Sequence, residues 1–318
     1  PGTAPQWSSA FTLPLPRGAD SLTAISSMDE KVVLFSSNDI FLVIGDGPNN
    51  LGRGGSFTGP RKVSSDVGCT NKRSIVNGPF GVMFESEKGI YQLGRDLQVT
   101  YVGAQVEDLV DANTITSAVL VEDRNQVRFT LGGGGSYKAL VYDYFHSVWT
   151  VSETGLGSQI TTALSATLFG GKHTFVSGNN FINRDVTSSI FDGSSAAQEA
   201  IVSSFTTAWL KMAGLQAFKR VKRASFLGQH LGGKVTLSTQ YNYVEGVSTT
   251  KSWTNAEITA LSNDPMQLGL HIPRQKCQSI RFTYTDEDAG AAAAGGSVIS
   301  SISLLFGTKS GLFKLPEG

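Results

Sequence analysis

Phe80-Gly-Val-Met-Phe84, Glu85-Ser-Glu-Lys-Gly89 and Ile90-Tyr-Gln-Leu93 follow one another without a gap and close at Gly94. Two short apolar runs, rich in aromatic and branched side chains, flank a charged turn that ends in glycine. Such side chains fill a pleated surface, and glycine takes positive φ without steric cost, so the stretch predicts a β-hairpin. Each run is about five residues long, too short for a helix with a buried stripe of its own.

The same grammar recurs on both sides. Upstream, Lys31-Val-Val-Leu-Phe35 turns at Ser36-Ser-Asn-Asp39 into Ile40-Phe-Leu-Val-Ile44. Downstream, Ala118-Val-Leu-Val121 turns at Glu122-Asp-Arg-Asn125 into Gln126-Val-Arg-Phe-Thr-Leu131, and Ala139–Asp143 leads into Ser147–Val151. A last unit runs Ala166-Thr-Leu-Phe169, Gly170-Gly171 and His173-Thr-Phe-Val176, with Asn179-Asn180 before Phe181 and Ile182. Units recurring every ~40–50 residues suit propeller blades, although one sandwich with long loops would give similar hairpins. About four blade-like units are expected.

Ahead of the first unit, Pro1, Pro5, Pro14 and Pro16 predict an extended segment. The chain starts at Pro1, which points to processing or to a longer parent product; no signal peptide is evident. Near residues 192–200 a run of small polar residues reads as a linker. Beyond it the texture changes. Lys234–Tyr243 and Ser279–Tyr284 alternate apolar with polar, and Ser297–Phe306 is a third long strand, as expected of strands that bury one face. Asp286-Glu-Asp288 and Gly290–Gly296 predict an exposed loop whose four alanines are too few to hold a helix. The expectation is therefore all-β: an extended segment over 1–20, a propeller-like domain over 21–195 and an antiparallel sandwich over 196–318.

Composition narrows function. The 318 residues are 40% hydrophobic and 16% charged with formal net charge zero, which suits a folded chain and disfavours a dedicated nucleic-acid binder. Gly is abundant at 36 residues, as turn-dense β structure requires. Cys69 and Cys277 lie far apart, form no disulfide framework and read as half-buried free thiols. No apolar run approaches the ~20 residues of a membrane-spanning helix.

Catalytic signatures are thin. His146, His173, His230 and His271 show no metal-ligand spacing. Gly52-Arg-Gly-Gly55 and Gly132–Gly135 lack the Gly-Lys-Ser/Thr ending of a phosphate loop, and no nucleophile elbow is present. Ser64-Ser-Asp-Val-Gly-Cys-Thr70 overlaps the Asp box of sialidase propellers, but Asn71 stands where an aromatic belongs. Glu85, Glu87, Glu107 and Asp108 are the carboxylates a glycosidase would draw on. No catalytic, cofactor or metal residues are therefore assigned. The most pointed charge feature is Lys211 with Lys219-Arg-Val-Lys-Arg223. Strand alternation would put Lys219, Val221 and Arg223 on one face and Arg220 and Lys222 on the other. A solvated basic edge that blocks aggregation comes first, contact with an acidic neighbour second, and DNA-backbone contact last.

Gly68-Cys-Thr-Asn-Lys-Arg-Ser74, Gly78-Pro-Phe-Gly-Val-Met-Phe84, Glu87-Lys-Gly-Ile-Tyr91 and Leu140–Trp149 resemble the tail nozzle (tail-stabilisation) proteins of short-tailed bacteriophages. Thr207–Gly214, Lys219–Arg223 with Gly228, and Arg274–Phe282 resemble the sandwich part of the same proteins. The likeness runs from about residue 20 to the end, though the chain is short for that family. A missing amino-terminal part, or an incomplete propeller closed by other strands, would account for this. The resemblance implies a non-enzymatic virion protein that forms a ring, typically a hexamer, at the distal end of the tail channel. Its partners would be the tail adaptor, fibre or spike proteins, and viral DNA passing without sequence-specific contact. On this reading Trp209, Leu215, Lys219, Arg220, Lys222 and Arg223 are interface candidates. The competing reading is a secreted or surface carbohydrate-binding propeller using Tyr91, Tyr142, Tyr144 and Trp149. A glycosidase is the third.

Overall fold

The structure is a computed structural model that describes residues 12–47, 53–64, 66–133, 137–153, 163–178, 182–185, 191–194, 197–200, 202–211, 220–261, 265–273, 277–287 and 296–307. The proline-rich start through residue 11, residues 179–181, Gly134 and Gly135, and the alanine run 291–294 lie outside these residues. The chain is nearly all β and divides into two compact units, Pro1–Thr187 and Ser188–Gly318.

The first unit is a series of antiparallel meanders. Strands β1 (Leu22–Met28), β2 (Lys31–Ser36), β3 (Ile40–Ile44) and β4 (Arg61–Ser64) form one sheet in chain order. The next contains β5 (Val76–Gly78), β6 (Gly81–Ser86), β7 (Gly89–Leu93) and β8 (Val99–Tyr101), again in order. After helix α1 (Glu107–Ala112), strands β9 (Thr114–Val121), β10 (Gln126–Gly132), β11 (Lys138–Asp143) and β12 (Val148–Glu153) form a third. A three-stranded sheet of β13 (Ala163–Phe169), β14 (Lys172–Ser177) and β15 (Ile182–Arg184) completes the series.

These sheets pack face to face in chain order. Val82 and Phe84 of β6 join Val33, Phe35, Ile40 and Leu42 in one buried cluster, with the Phe35 and Phe84 rings 5.0 Å apart. Met83, between them, points the other way and joins Ile90, Val127, Phe129, Leu140 and Tyr142 in the next cluster. A third cluster joins Ala139 and Tyr137 to Ala163 and Phe175, where the Tyr137 and Phe175 rings stack at 4.2 Å. A strand buried on both faces has no polar side to write into its sequence, which is why Gly81–Phe84 reads as an unbroken apolar run. The turn before it depends on Gly81, whose φ is +107°; a Cβ there would fall 2.1 Å from the Leu93 carbonyl oxygen. Among the described residues no sheet closes on itself.

The second unit opens with β16 (Phe191–Ser194) and β17 (Ala197–Ala200), which pair as an antiparallel hairpin. The stretch expected to be a linker therefore carries two short paired strands. Next come β18 (Val202–Thr206), β19 (Leu210–Lys211), β20 (Arg220–His230), β21 (Lys234–Tyr241) and β22 (Val244–Trp253). Helix α2 (Asn255–Ala260) starts at a capping box in which Thr254 accepts from the Glu257 amide and Glu257 accepts from the Thr254 amide. The unit ends with β23 (Met266–His271), β24 (Ser279–Glu287) and β25 (Ser297–Gly307).

Sheet order is β18-β24-β21-β22 with β19 also on β24, and β23-β20-β25 in the second sheet. One buried cluster draws on both: Val235, Leu237, Ile280, Phe282 and Tyr284 from the first, and Ala224, Phe226, Leu268 and Leu270 from the second. Here the alternating strands do bury one face, as the sequence predicted.

Candidate functional site

The basic stretch is the natural starting point, because its chemistry is legible without a fold. Lys219 and Leu215 lie outside the described residues. Arg220 begins β20, which sits in the middle of its sheet between β23 and β25. The expected solvated edge is thus corrected for Arg223, which is paired on both sides, whereas Arg220 and Val221 pair with β25 alone. The expected alternation also fails. A register shift between Val221 and Arg223 makes Lys222 an extra residue, so Val221 and Ala224 both point into the core while Lys222 and Arg223 are exposed between them. The bulge exists because Val221 must be buried at a phase that strict alternation from Ala224 would deny it.

Arg223 lies flat on the outer face of this sheet. Its guanidinium passes over Gly269 of β23, where a Cβ would come within 2.3 Å of an Arg223 terminal nitrogen. Cross-strand from Arg223 is Leu305, and from Val221 is Phe306; both apolar residues are about half exposed. Register puts Arg223 and the exposed Leu305 together on the outer face, a cation beside an apolar side chain, whereas Phe306 shares the inward side with Val221.

Trp209 is on the other sheet. Its half-buried ring has the Arg281 guanidinium 4.8 Å from its centroid and the Tyr243 ring at 5.1 Å. Arg281 is held in turn by Gln240, whose Oε1 accepts from Arg281 Nε at 2.8 Å. The interface candidates therefore do not converge. Trp209 belongs to the outer face of one sheet and Lys222 and Arg223 to that of the other. Sequence reasoning missed Arg281, Gln240 and Tyr243. The signal was present only as polar positions in alternating strands and in a turn.

Between the third and fourth sheets of the first unit, Arg128 of β10 forms an ion pair with Asp185, and His173 Nδ1 stands 3.9 Å from the same carboxylate. Burial raises the Asp185 pKa, but His173 and Arg128 outweigh it and bring the carboxyl to about 2. Elsewhere in the unit, Asn71 donates to Glu85 Oε2 and to the Ile115 carbonyl, each at 2.7 Å, so one amide ties the second sheet to the third. Burial raises the Glu85 pKa, opposed by the Asn71 bond. Burial likewise pushes the Cys69 thiol up to about 11, a packing cysteine rather than a nucleophile.

The remaining chemical candidates resolve into packing. Asp66 of the Asp-box-like stretch is exposed and pairs with Lys88 at 3.0 Å. His146 Nδ1 lies 3.0 Å from Asp143 within an exposed turn. His230 contacts Ser297 Oγ at 3.1 Å and Asn255 Oδ1 at 3.0 Å, but Ser297 is its cross-strand partner and the ladder accounts for the bond. Tyr142 and Trp149 are buried, and Tyr91 and Tyr144 pack half-buried against the same clusters, so the rings of the carbohydrate-binding alternative fill the interior. Among the described residues no group of three or more His, Cys, Asp or Glu could hold a metal ion. Nor is any helix among them long and apolar enough to cross a membrane.

No family model matches the chain, and no curated protein matches it. Among solved structures, a glycoside hydrolase aligns over 89% of this chain and 83% of its own at 8% identity, with a TM-score of 0.26. A likeness that low carries no argument about fold or activity.

Proposed function

We propose that the chain is a non-enzymatic structural component of a short-tailed bacteriophage tail, one that assembles as a nozzle-like ring around the distal end of the DNA channel. In this reading the four meanders of the first unit are propeller blades and the second unit is an antiparallel sandwich. The observation that carries it is the serial stack and its unfinished ends. Central strands of the interior sheets bury both faces, whereas the first sheet leaves Ile25, 63% exposed, and Val32 on its outer side beside the buried Phe41 and Val43, and the last leaves Val176 and Ile182, 75% exposed. Apolar faces at the two ends of one stack favour head-to-tail contact between copies, and such heterologous contacts form a closed ring when the rotation fits. A hexamer is the stoichiometry that the sequence resemblance suggests. The adaptor, the fibre or spike proteins and the passing DNA remain its proposed partners, and the virion tail its proposed location.

Immunogold electron microscopy of source particles, with antibody against this chain, tests the reading. Label confined to the tip of a short tail is expected. Protein found free or on cells, with unlabelled particles, would overturn it.

A further inference from the structure

The middle of the outer face of the five-stranded sheet in the second unit is built from hydroxyl side chains in register. Across four strands, Ser204, Thr285, Thr236 and Ser252 lie side by side. Two residues along, Thr206, Thr283, Ser238 and Thr250 repeat the arrangement. Neighbours within the rows are hydrogen-bonded: Thr206 to Thr283 at 3.0 Å, Thr236 to Ser252 at 3.0 Å, and Ser238 to Thr250 at 3.1 Å. Each such bond uses one proton of the pair, so every pair keeps a donor and several acceptor positions facing outward. Strand pairing spaces the rows' members by ~4.8 Å and the rows themselves by ~6.8 Å.

The two ends of this face differ. At one, Lys234 and Glu287 neutralise each other at 3.0 Å. At the other stand Trp209, Arg281, Gln240 and Tyr243. Asn242 and Tyr243, with φ of 55° and 60°, form the two-residue turn that joins β21 to β22. A bulky aromatic in that conformation is unfavourable, and here its ring is held beside Trp209. Arg281 commits the Gln240 amide oxygen, which leaves the amide NH2 to donate to another partner.

We infer that this face binds a neutral polysaccharide, with Trp209 as the stacking platform and the hydroxyl rows as the track along which the chain lies. An indole face attracts the weakly positive C–H side of a sugar ring. Uncharged hydroxyls that both donate and accept match a polymer whose own groups do the same. A protein partner would be served better by an apolar centre with a polar rim, and a polyanion by a field of positive charge. This face offers neither. The inference stands apart from the tail reading and does not depend on it.

The test is a printed array of neutral hexose and N-acetylhexosamine oligosaccharides probed with the full 318-residue chain. Retention on at least one glycan is expected, and it should persist in about 0.5 M salt, where charge-driven binding is screened. Trp209→Ala should weaken it at least tenfold. Thr283→Val, which keeps the side-chain shape and removes the hydroxyl, should weaken it several-fold with an unchanged melting temperature. No retained neutral glycan, retention abolished by salt, or retention indifferent to both substitutions would each overturn the proposal.

Discussion

The two units bury their strands in different ways. In the first, consecutive residues of one strand serve different interiors: Val82 and Phe84 feed one cluster, and Met83 between them feeds the next. In the second, Phe282 and Tyr284 are core while Thr283 faces out among hydroxyls. A sheet inside a stack has two cores to satisfy, and a sheet in a two-layer unit has one. The first arrangement is sensitive to every residue along a strand, the second to every other one.

Adjacent substitutions break or sharpen that contrast most directly. Phe84→Ala and Met83→Ala should each destabilise the first unit by about 2–5 kcal/mol, because both side chains are fully buried. In the second unit Phe282→Ala should cost about 3–5 kcal/mol and Thr283→Ala less than about 0.5 kcal/mol. Denaturant titration of the four variants decides the matter. A mild Met83→Ala would remove the two-sided burial on which the stack rests.

Next in size is Gly81→Ala. With φ at +107° and a carbonyl 2.1 Å from the added carbon, it should cost about 1–3 kcal/mol. Gly269→Ala in the second unit meets only the movable end of Arg223 and should cost less. Thermal melts showing equal losses would contradict that difference.

Asp185→Asn gives a smaller effect with a characteristic pH dependence. The folded carboxyl is held near 2 against an ordinary value of 3.8, so ionisation favours the folded state. Its contribution is present above 3.8 and disappears as pH falls toward 2. At neutral pH the variant should lose about 1–2 kcal/mol, partial exposure included, and the loss should fade in acid. A loss independent of pH would mean that Asp185 acts by packing alone. Smaller again is Thr254→Ala, which removes half of the α2 capping box and should lower stability by about 1 kcal/mol or less. Unfolding at matched temperature should show it as a change in midpoint without a change in slope.

How much was legible follows from the same contrast. The hairpins around Ser36–Asp39, Glu122–Asn125 and Gly170-Gly171 were readable because local turn chemistry fixes them. The long strands of the second unit were readable because one-sided burial writes alternation into the sequence. The outer strands of the first two meanders were not, since Leu22–Met28, Arg61–Ser64, Val76–Gly78 and Val99–Tyr101 are short or have weak patterns of their own. The basic stretch was misread because a bulge has no sequence signature: nothing in Arg220-Val-Lys-Arg223 marks Lys222 as the residue to be looped out. The hydroxyl face was invisible for a different cause. Its members are separated by up to about eighty positions in the chain and acquire meaning only once register sets them side by side.

Serial stacking also has a consequence for how such a chain can change in length. Each interior sheet meets its neighbours through the same kind of cross-section, so the packing itself does not specify how many sheets there must be. Duplicating or losing one meander would leave the others with the contacts they already have. The count is then set from outside, by what must be spanned, and growth by tandem copying is open to this architecture in a way that is closed to a unit with a single shared interior.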